Sequence, residues 1–134
     1  MAKDTHKENE PTLRVGDVMV KEVVTIDEGL TVKEAADIMN KFEIGCVIAV
    51  RKGKAMGILT ERDLLKRVVA EGRDAAKIKI KDVMTTPLVV TEPDMDLGEA
   101  VRLMFKMKIK KLPVVHGKKL VGLVSLTDIA RFQP

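Results

Sequence analysis

The sequence predicts an α+β fold: tandem β-α-β-β-α repeats packed about a pseudo-two-fold axis. Three observations carry this. Gly57 to Asp63, Gly-Ile-Leu-Thr-Glu-Arg-Asp, returns at Gly122 to Asp128 as Gly-Leu-Val-Ser-Leu-Thr-Asp, with Asp128 65 residues after Asp63. The same offset aligns about 55 residues without a gap, roughly a quarter of them identical. Within each copy the apolar spacing switches between strand and helix periods in one order. A single copy is too small to bury both faces of its sheet, which is why the two are expected to pack together.

Residues 1–12 read as a flexible tail, because almost nothing there is apolar. The first repeat is assigned to residues 13–72, a polar connector to 73–79 and the second repeat to 80–134. Val23 to Ile26 is β-rich. Thr31 to Phe42 carries Val32, Ala35, Ala36 and Met39 at helical spacing, with Thr31 and Glu34 as a capping box. Gly45 to Val50 is a buried strand, Arg51 to Lys54 a turn and Ala55 to Leu59 the returning strand. A helix then runs from Thr60 to near Gly72, with Leu64, Leu65, Val68 and Val69 on one face. The second copy gives a strand at Leu88–Thr91, a helix at Asp96–Lys108, strands at Leu112–Val115 and Leu120–Val124, and a last helix at Ser125–Phe132.

Composition bounds the function. The chain has 134 residues, 46% hydrophobic and 33% charged, so it belongs with folded globular proteins. No apolar run reaches the roughly 18 residues a membrane helix needs, and the first residues lack the apolar stretch of a signal peptide. One cysteine, Cys46, excludes an internal disulfide framework. A cytoplasmic setting without membrane attachment is expected. The net charge of +4 is a small excess. Tryptophan and tyrosine are absent and phenylalanine occurs three times, which argues against stacking on single-stranded nucleic acid. No nucleotide-triphosphatase loop, zinc-protease helix or serine-hydrolase elbow occurs. His6, His116 and Cys46 form no ligand pattern. Neither catalysis nor a bound metal is expected.

The candidate site is the junction where a strand ends and a helix begins. Thr60-x-x-Asp63 and Ser125-x-x-Asp128 each present backbone N–H groups and a positive helix end, a place for an anion. Each also reads as a capping box stabilising the helix start by about 1 kcal/mol. The other two helix starts use glutamate, Glu34 and Glu99, where these use aspartate. An aspartate can accept two hydrogen bonds from a ribose diol. Arg62 offers paired donors to a phosphate, or is a solvated residue of the first helical turn. Lys106, Lys108, Lys110 and Lys111 form a basic cluster that either neutralises phosphate or protects a strand edge. Val24, Ile44, Val47, Ile109, Leu112 and Pro113 are core residues, the walls of a base slot, or both.

Asp17-Val18-Met19, Asp82-Val83-Met84, Lys111-Leu112-Pro113-Val114-Val115 and the two Gly-h-h-Thr/Ser-x-x-Asp stretches (h, apolar) together resemble a pair of cystathionine-β-synthase (CBS) domains, a Bateman module. The likeness covers residues 15–134. It implies a regulatory module that senses an adenosyl ligand: AMP, ADP, ATP or S-adenosylmethionine. It implies that Asp63 and Asp128 bind ribose hydroxyls, that Thr60, Arg62, Ser125 and Thr127 line the nucleotide, and that Lys110 and Lys111 reach its phosphates. Gly45 and Cys46 stand at the equivalent positions of the first repeat. In related modules the first helix start of one repeat faces the aspartate of the other, which would bring Thr31 to the Asp128 site and Asp96 to the Asp63 site. CBS pairs form disc-like homodimers, and an effector protein not recognisable from this chain would read the bound state. The other readings are a dimerisation module with lapsed sites and a nucleic-acid binder acting through the lysine cluster.

Overall fold

The computed structural model describes residues 12–132. The expected tail lies outside them, apart from residue 12. The elements are α1 (Val15–Val18), β1 (Thr25–Asp27), α2 (Val32–Phe42), β2 (Cys46–Arg51), β3 (Lys54–Thr60), α3 (Glu61–Leu64) with a π-helical turn at Leu65–Val69, α4 (Ile80–Val83), α5 (Leu97–Met107), β4 (Lys111–His116), β5 (Lys119–Ser125) and α6 (Leu126–Arg131). The chain forms two compact units. One is contiguous, Val23–Val89; the other joins the residues up to Glu22 with those from Val90 onward.

In the contiguous unit β1 pairs parallel with β2, and β2 antiparallel with β3. The helix α2 begins where the Thr31 side chain accepts the Glu34 N–H, and it buries Val32, Ala35 and Met39. These pack in one core with Ile26, Val47, Ala49, Leu59, Val68, Ile80, Val83 and Met84. The stretch after Thr60 departs from the single amphipathic helix expected. Its second half is π-wound, Ala70 N–H reaching Leu65 O. Val68 is buried and Leu64 packs on the core, whereas Leu65 and Val69 are 62% and 68% exposed.

In the two-segment unit β4 pairs antiparallel with β5. The helix α5 starts with Asp96 accepting the Glu99 N–H and buries Leu97, Ala100 and Met104. The strand expected at Leu88–Thr91 is reduced to one parallel bridge, Thr91 with Val114. Two prolines account for this: Pro93 cannot give Val115 O the bond that Glu28 N–H gives Val50 O in the first repeat, and Pro113 removes a second. In the first repeat Ile48 N–H donates to Val24 O at 3.0 Å. The residue at the same place in the second repeat is Pro113, which has no N–H to give Val89. The ladder survives only at Thr91, which donates to Pro113 O and accepts from Val115 N–H.

The compact units are offset from the sequence repeats. Each Asp-Val-Met stretch is a short helix whose end crosses the hairpin of the opposite repeat. Val20 bridges Leu123, and Thr85 bridges Ile58. The crossing explains the repeated glycines. A Cβ on Gly57 would lie 2.8 Å from Met84 Sδ and 2.8 Å from Thr85 O. A Cβ on Gly122 would lie 2.6 Å from Met19 Sδ and 3.0 Å from Val20 O. Each methionine therefore covers the glycine of the other copy, and two motifs separated in sequence form one contact.

Candidate functional site

Strand β5 delivers Ser125 in an extended conformation, and its hydroxyl accepts the Asp128 N–H at 3.0 Å. Asp128 Oδ2 in turn accepts from Ser125 N–H at 3.3 Å and from Ser125 Oγ at 2.8 Å. This aspartate therefore caps its helix, and it does so with one carboxylate oxygen. Oδ1 faces only the guanidinium of Arg131, at 3.8 Å, among the described residues. That arginine side chain is 73% exposed and the aspartate side chain 18%.

Lys111 is paired with Ser125 across the hairpin, and Lys110 O accepts the Leu126 N–H, the first donor of α6. Two lysines are thus held by backbone pairing at the start of the helix that Asp128 caps, and the second oxygen of that carboxylate has no partner but the exposed Arg131 guanidinium among the described residues. Thr127 lies exposed in the first turn of α6. Leu112 and Pro113 are fully buried, so any base slot must use their edges without displacing them. Ile109 is half-buried.

The first-repeat junction has the same cap and a different surrounding. Thr60 Oγ1 accepts the Asp63 N–H, and Asp63 Oδ2 accepts from Thr60 N–H at 2.9 Å and Thr60 Oγ1 at 3.0 Å. Here Oδ1 is also taken: Thr85 Oγ1 donates to it at 2.9 Å, and Arg67 Nε stands 3.8 Å away. The Asp63 side chain is 9% exposed, half the value of Asp128. Arg62 is exposed, Ile44 and Val24 are half-buried and Val47 is buried in the core. Gly45 O accepts the Glu61 N–H, so Gly45 takes the place that Lys110 holds in the other copy.

Thr31 and Asp96 are both used as helix caps. Thr31 belongs to the contiguous unit, as Asp63 does; Asp96 belongs to the two-segment unit, as Asp128 does. Sequence reasoning missed Thr85 and Arg67. The signal was present in the repeat alignment, where their counterparts are Val20 and Phe132. A surface cleft of about 320 Å³ lies beside Arg67, lined also by Glu71, Arg73, Asp82 and Val83. On the surface of α5, Glu99 raises the proton affinity of Arg102, chiefly by hydrogen bonding and secondarily by its charge. Among the described residues no group of three or more His, Cys, Asp or Glu side chains could hold a metal, and no helix is long and apolar enough to cross a membrane.

Comparison with known proteins gives one family. The CBS domain profile matches residues 15–70 and 80–134. The CBS domain-containing protein YhcV of Bacillus subtilis is 39% identical over 116 residues, covering 87% of this chain and 82% of that protein. Among solved structures, a hexameric CBS-CP12 protein from bloom-forming cyanobacteria superposes with a TM-score of 0.87 at 29% identity, over 92% of this chain and 70% of that one. The CBS domain pair of protein MJ0100, solved with 5-methylthioadenosine and S-adenosyl-L-methionine, gives a TM-score of 0.81 at 30% identity, over 90% and 95% of the two chains.

Proposed function

Because the chain belongs to the CBS-domain family, we propose that this CBS pair is a regulatory module that binds an adenosyl compound and catalyses nothing itself. The observation that carries the reading is Asp128: a carboxylate oriented by its own cap, with Oδ1 facing only an exposed arginine, at a helix start where Lys111 is paired with Ser125 and Lys110 O accepts the Leu126 N–H. A ribose diol fits such an acceptor, and Lys110 and Lys111 suit a phosphate. The adenosyl ligands of the MJ0100 pair support the class. AMP, ADP, ATP and S-adenosylmethionine are the candidates. The lysines favour the phosphorylated ones.

Ligand binding would stabilise one arrangement of the chain, and an effector protein would read the difference. A thermal-shift panel of these four compounds with the whole chain tests the proposal. A concentration-dependent rise in melting temperature with at least one of them is expected. No rise with any of them leaves a dimerisation module whose sites have lapsed.

The module is also proposed to be a homodimer. Leu65 and Val69 on the contiguous unit, and Phe132 at the end of the other, are large apolar side chains at least half exposed. Covering them with a second copy removes that area from water at about 25 cal/mol per Å². Sedimentation at micromolar concentration should give about twice the 14.8 kDa chain mass. A monomer at all concentrations would remove the dimer and leave the ligand reading standing.

A further inference from the structure

Asp63 and Asp128 occupy equivalent places in the repeat and are employed differently. The backbone around them is the same. Thr85 exchanges two hydrogen bonds with Ile58, at 2.8 and 3.1 Å, and Val20 exchanges two with Leu123, at 2.8 and 2.9 Å. What differs is the side chain on that crossing segment. Thr85 places a hydroxyl 2.9 Å from Asp63 Oδ1, whereas Val20 has none to offer Asp128.

Arg67 adds to this. Its Nη1 donates to Val83 O and Met84 O, both at 3.1 Å, while Nε faces Asp63 Oδ1 at 3.8 Å. Those carbonyls lie at the C-terminal end of α4, where no helical N–H follows to pair with them. Moving Arg67 aside to admit a ligand would give up both of these hydrogen bonds as well as the contact with Asp63. Phe132, its counterpart, makes no such link possible.

We infer that Thr85 and Arg67 decide which junction takes ligand: they clasp Asp63 as a structural carboxylate and leave Asp128 as the ribose acceptor, so that each chain binds one adenosyl compound. The ligand half of this inference rests on the adenosyl reading above; the clasp half does not. A ribose diol at Asp63 must displace the Thr85 hydroxyl from Oδ1. Because the Thr85 backbone is pinned on both sides, only rotation of its side chain could release the oxygen. At Asp128 nothing has to be displaced except an exposed arginine.

Isothermal titration of the whole chain, with ATP and with S-adenosylmethionine in separate runs, tests the ligand half. Wild type is expected to bind about one equivalent. Asp128→Asn should lose that binding by roughly tenfold or more in affinity, and Asp63→Asn should keep it. Thr85→Val combined with Arg67→Met should raise the stoichiometry toward two, a gain that a purely structural role would not produce. Thr85→Ser should stay at one. Two equivalents in wild type, or loss of binding in Asp63→Asn alone, overturns the assignment.

A double-mutant cycle decides the clasp without any ligand. Thr85→Val and Asp63→Ala should each lower the melting temperature, and the pair should lower it by clearly less than the two effects added. Strict additivity overturns the clasp. If neither probe binds wild type, the adenosyl reading fails, and the cycle still decides whether Thr85 holds Asp63.

Discussion

Gly57→Ala is expected to destabilise the contiguous unit by about 1–3 kcal/mol, toward the upper end, and Gly122→Ala to cost less in its own unit. The ranking follows from what each new methyl meets. At Gly57 it lies 2.8 Å from a backbone oxygen, Thr85 O, besides the Met84 sulfur. That carbonyl is held by Ile58 N–H, so relief requires the crossing segment to lift and break its bridge. At Gly122 the nearest atom is the sulfur of Met19, the mobile end of a side chain, and the backbone oxygen is farther, at 3.0 Å. Trimming the methionine should therefore separate the two sites. Met19→Ala should recover part of the Gly122→Ala loss, and Met84→Ala should recover none of the Gly57→Ala loss. Urea unfolding of the four single and two double variants measures this. Equal costs for the two glycine substitutions would show that the crossing segments yield freely.

Asp128→Asn is expected to abolish most of the ligand-dependent stabilisation and little of the unliganded stability. A ligand at a hundredfold excess over its Kd stabilises wild type by about 2.7 kcal/mol. The asparagine can still orient its carbonyl oxygen toward Ser125 and keep the cap, so the unliganded cost should stay within about 1 kcal/mol. It loses the charge and one acceptor, which are the features a ribose diol uses. Lys110→Ala with Lys111→Ala should weaken ATP more than S-adenosylmethionine, since only the former offers the lysines a polyanion. Melting curves with and without each ligand check both statements. Equal ligand stabilisation of wild type and Asp128→Asn would leave this aspartate a helix cap and nothing more.

The helix starts were legible because capping chemistry is local. Thr31, Thr60, Asp96 and Ser125 each cap the helix that their spacing to the next acid indicated. The hairpins were legible because alternation and turn residues fix them within a few positions. The candidate site was legible as far as its own loop extends: Ser125, Asp128, Lys110 and Lys111 come together through one hairpin and one helical turn. What lay beyond was set by long-range pairing. The use of Thr85 on Asp63 depends on a bridge between β3 and the chain after α4, which no local pattern announces. The missing strand at Leu88–Thr91 was readable in principle from Pro93 and from Pro113. Around Pro113, the β-compatible neighbours Leu112 and Val114 outweighed the one N–H that proline lacks. The π-wound turn at Leu65–Val69 was not legible, because its apolar spacing reads the same for an α-helix.

The offset between sequence repeat and compact unit sets an order of assembly. Val23–Val89 is one uninterrupted stretch and can close as soon as it has been synthesised. The other unit needs the residues up to Glu22 to wait for those from Val90 onward, with the whole contiguous unit made in between. One of its pairings, Val20 with Leu123, can form only after both the contiguous unit and β5 have been made. Loop-closure entropy rises only slowly with length, so the delay falls on rate more than on final stability. Until that pairing forms, Gly122 lacks its cover, and the segment carrying Met19 is held only by its earlier bonds to Pro93, Met95 and Leu97. Both halves of the bond are then available to a neighbouring molecule as readily as to their own chain. Crowded refolding is the stage at which two copies can trade this segment and each finish the other's unit.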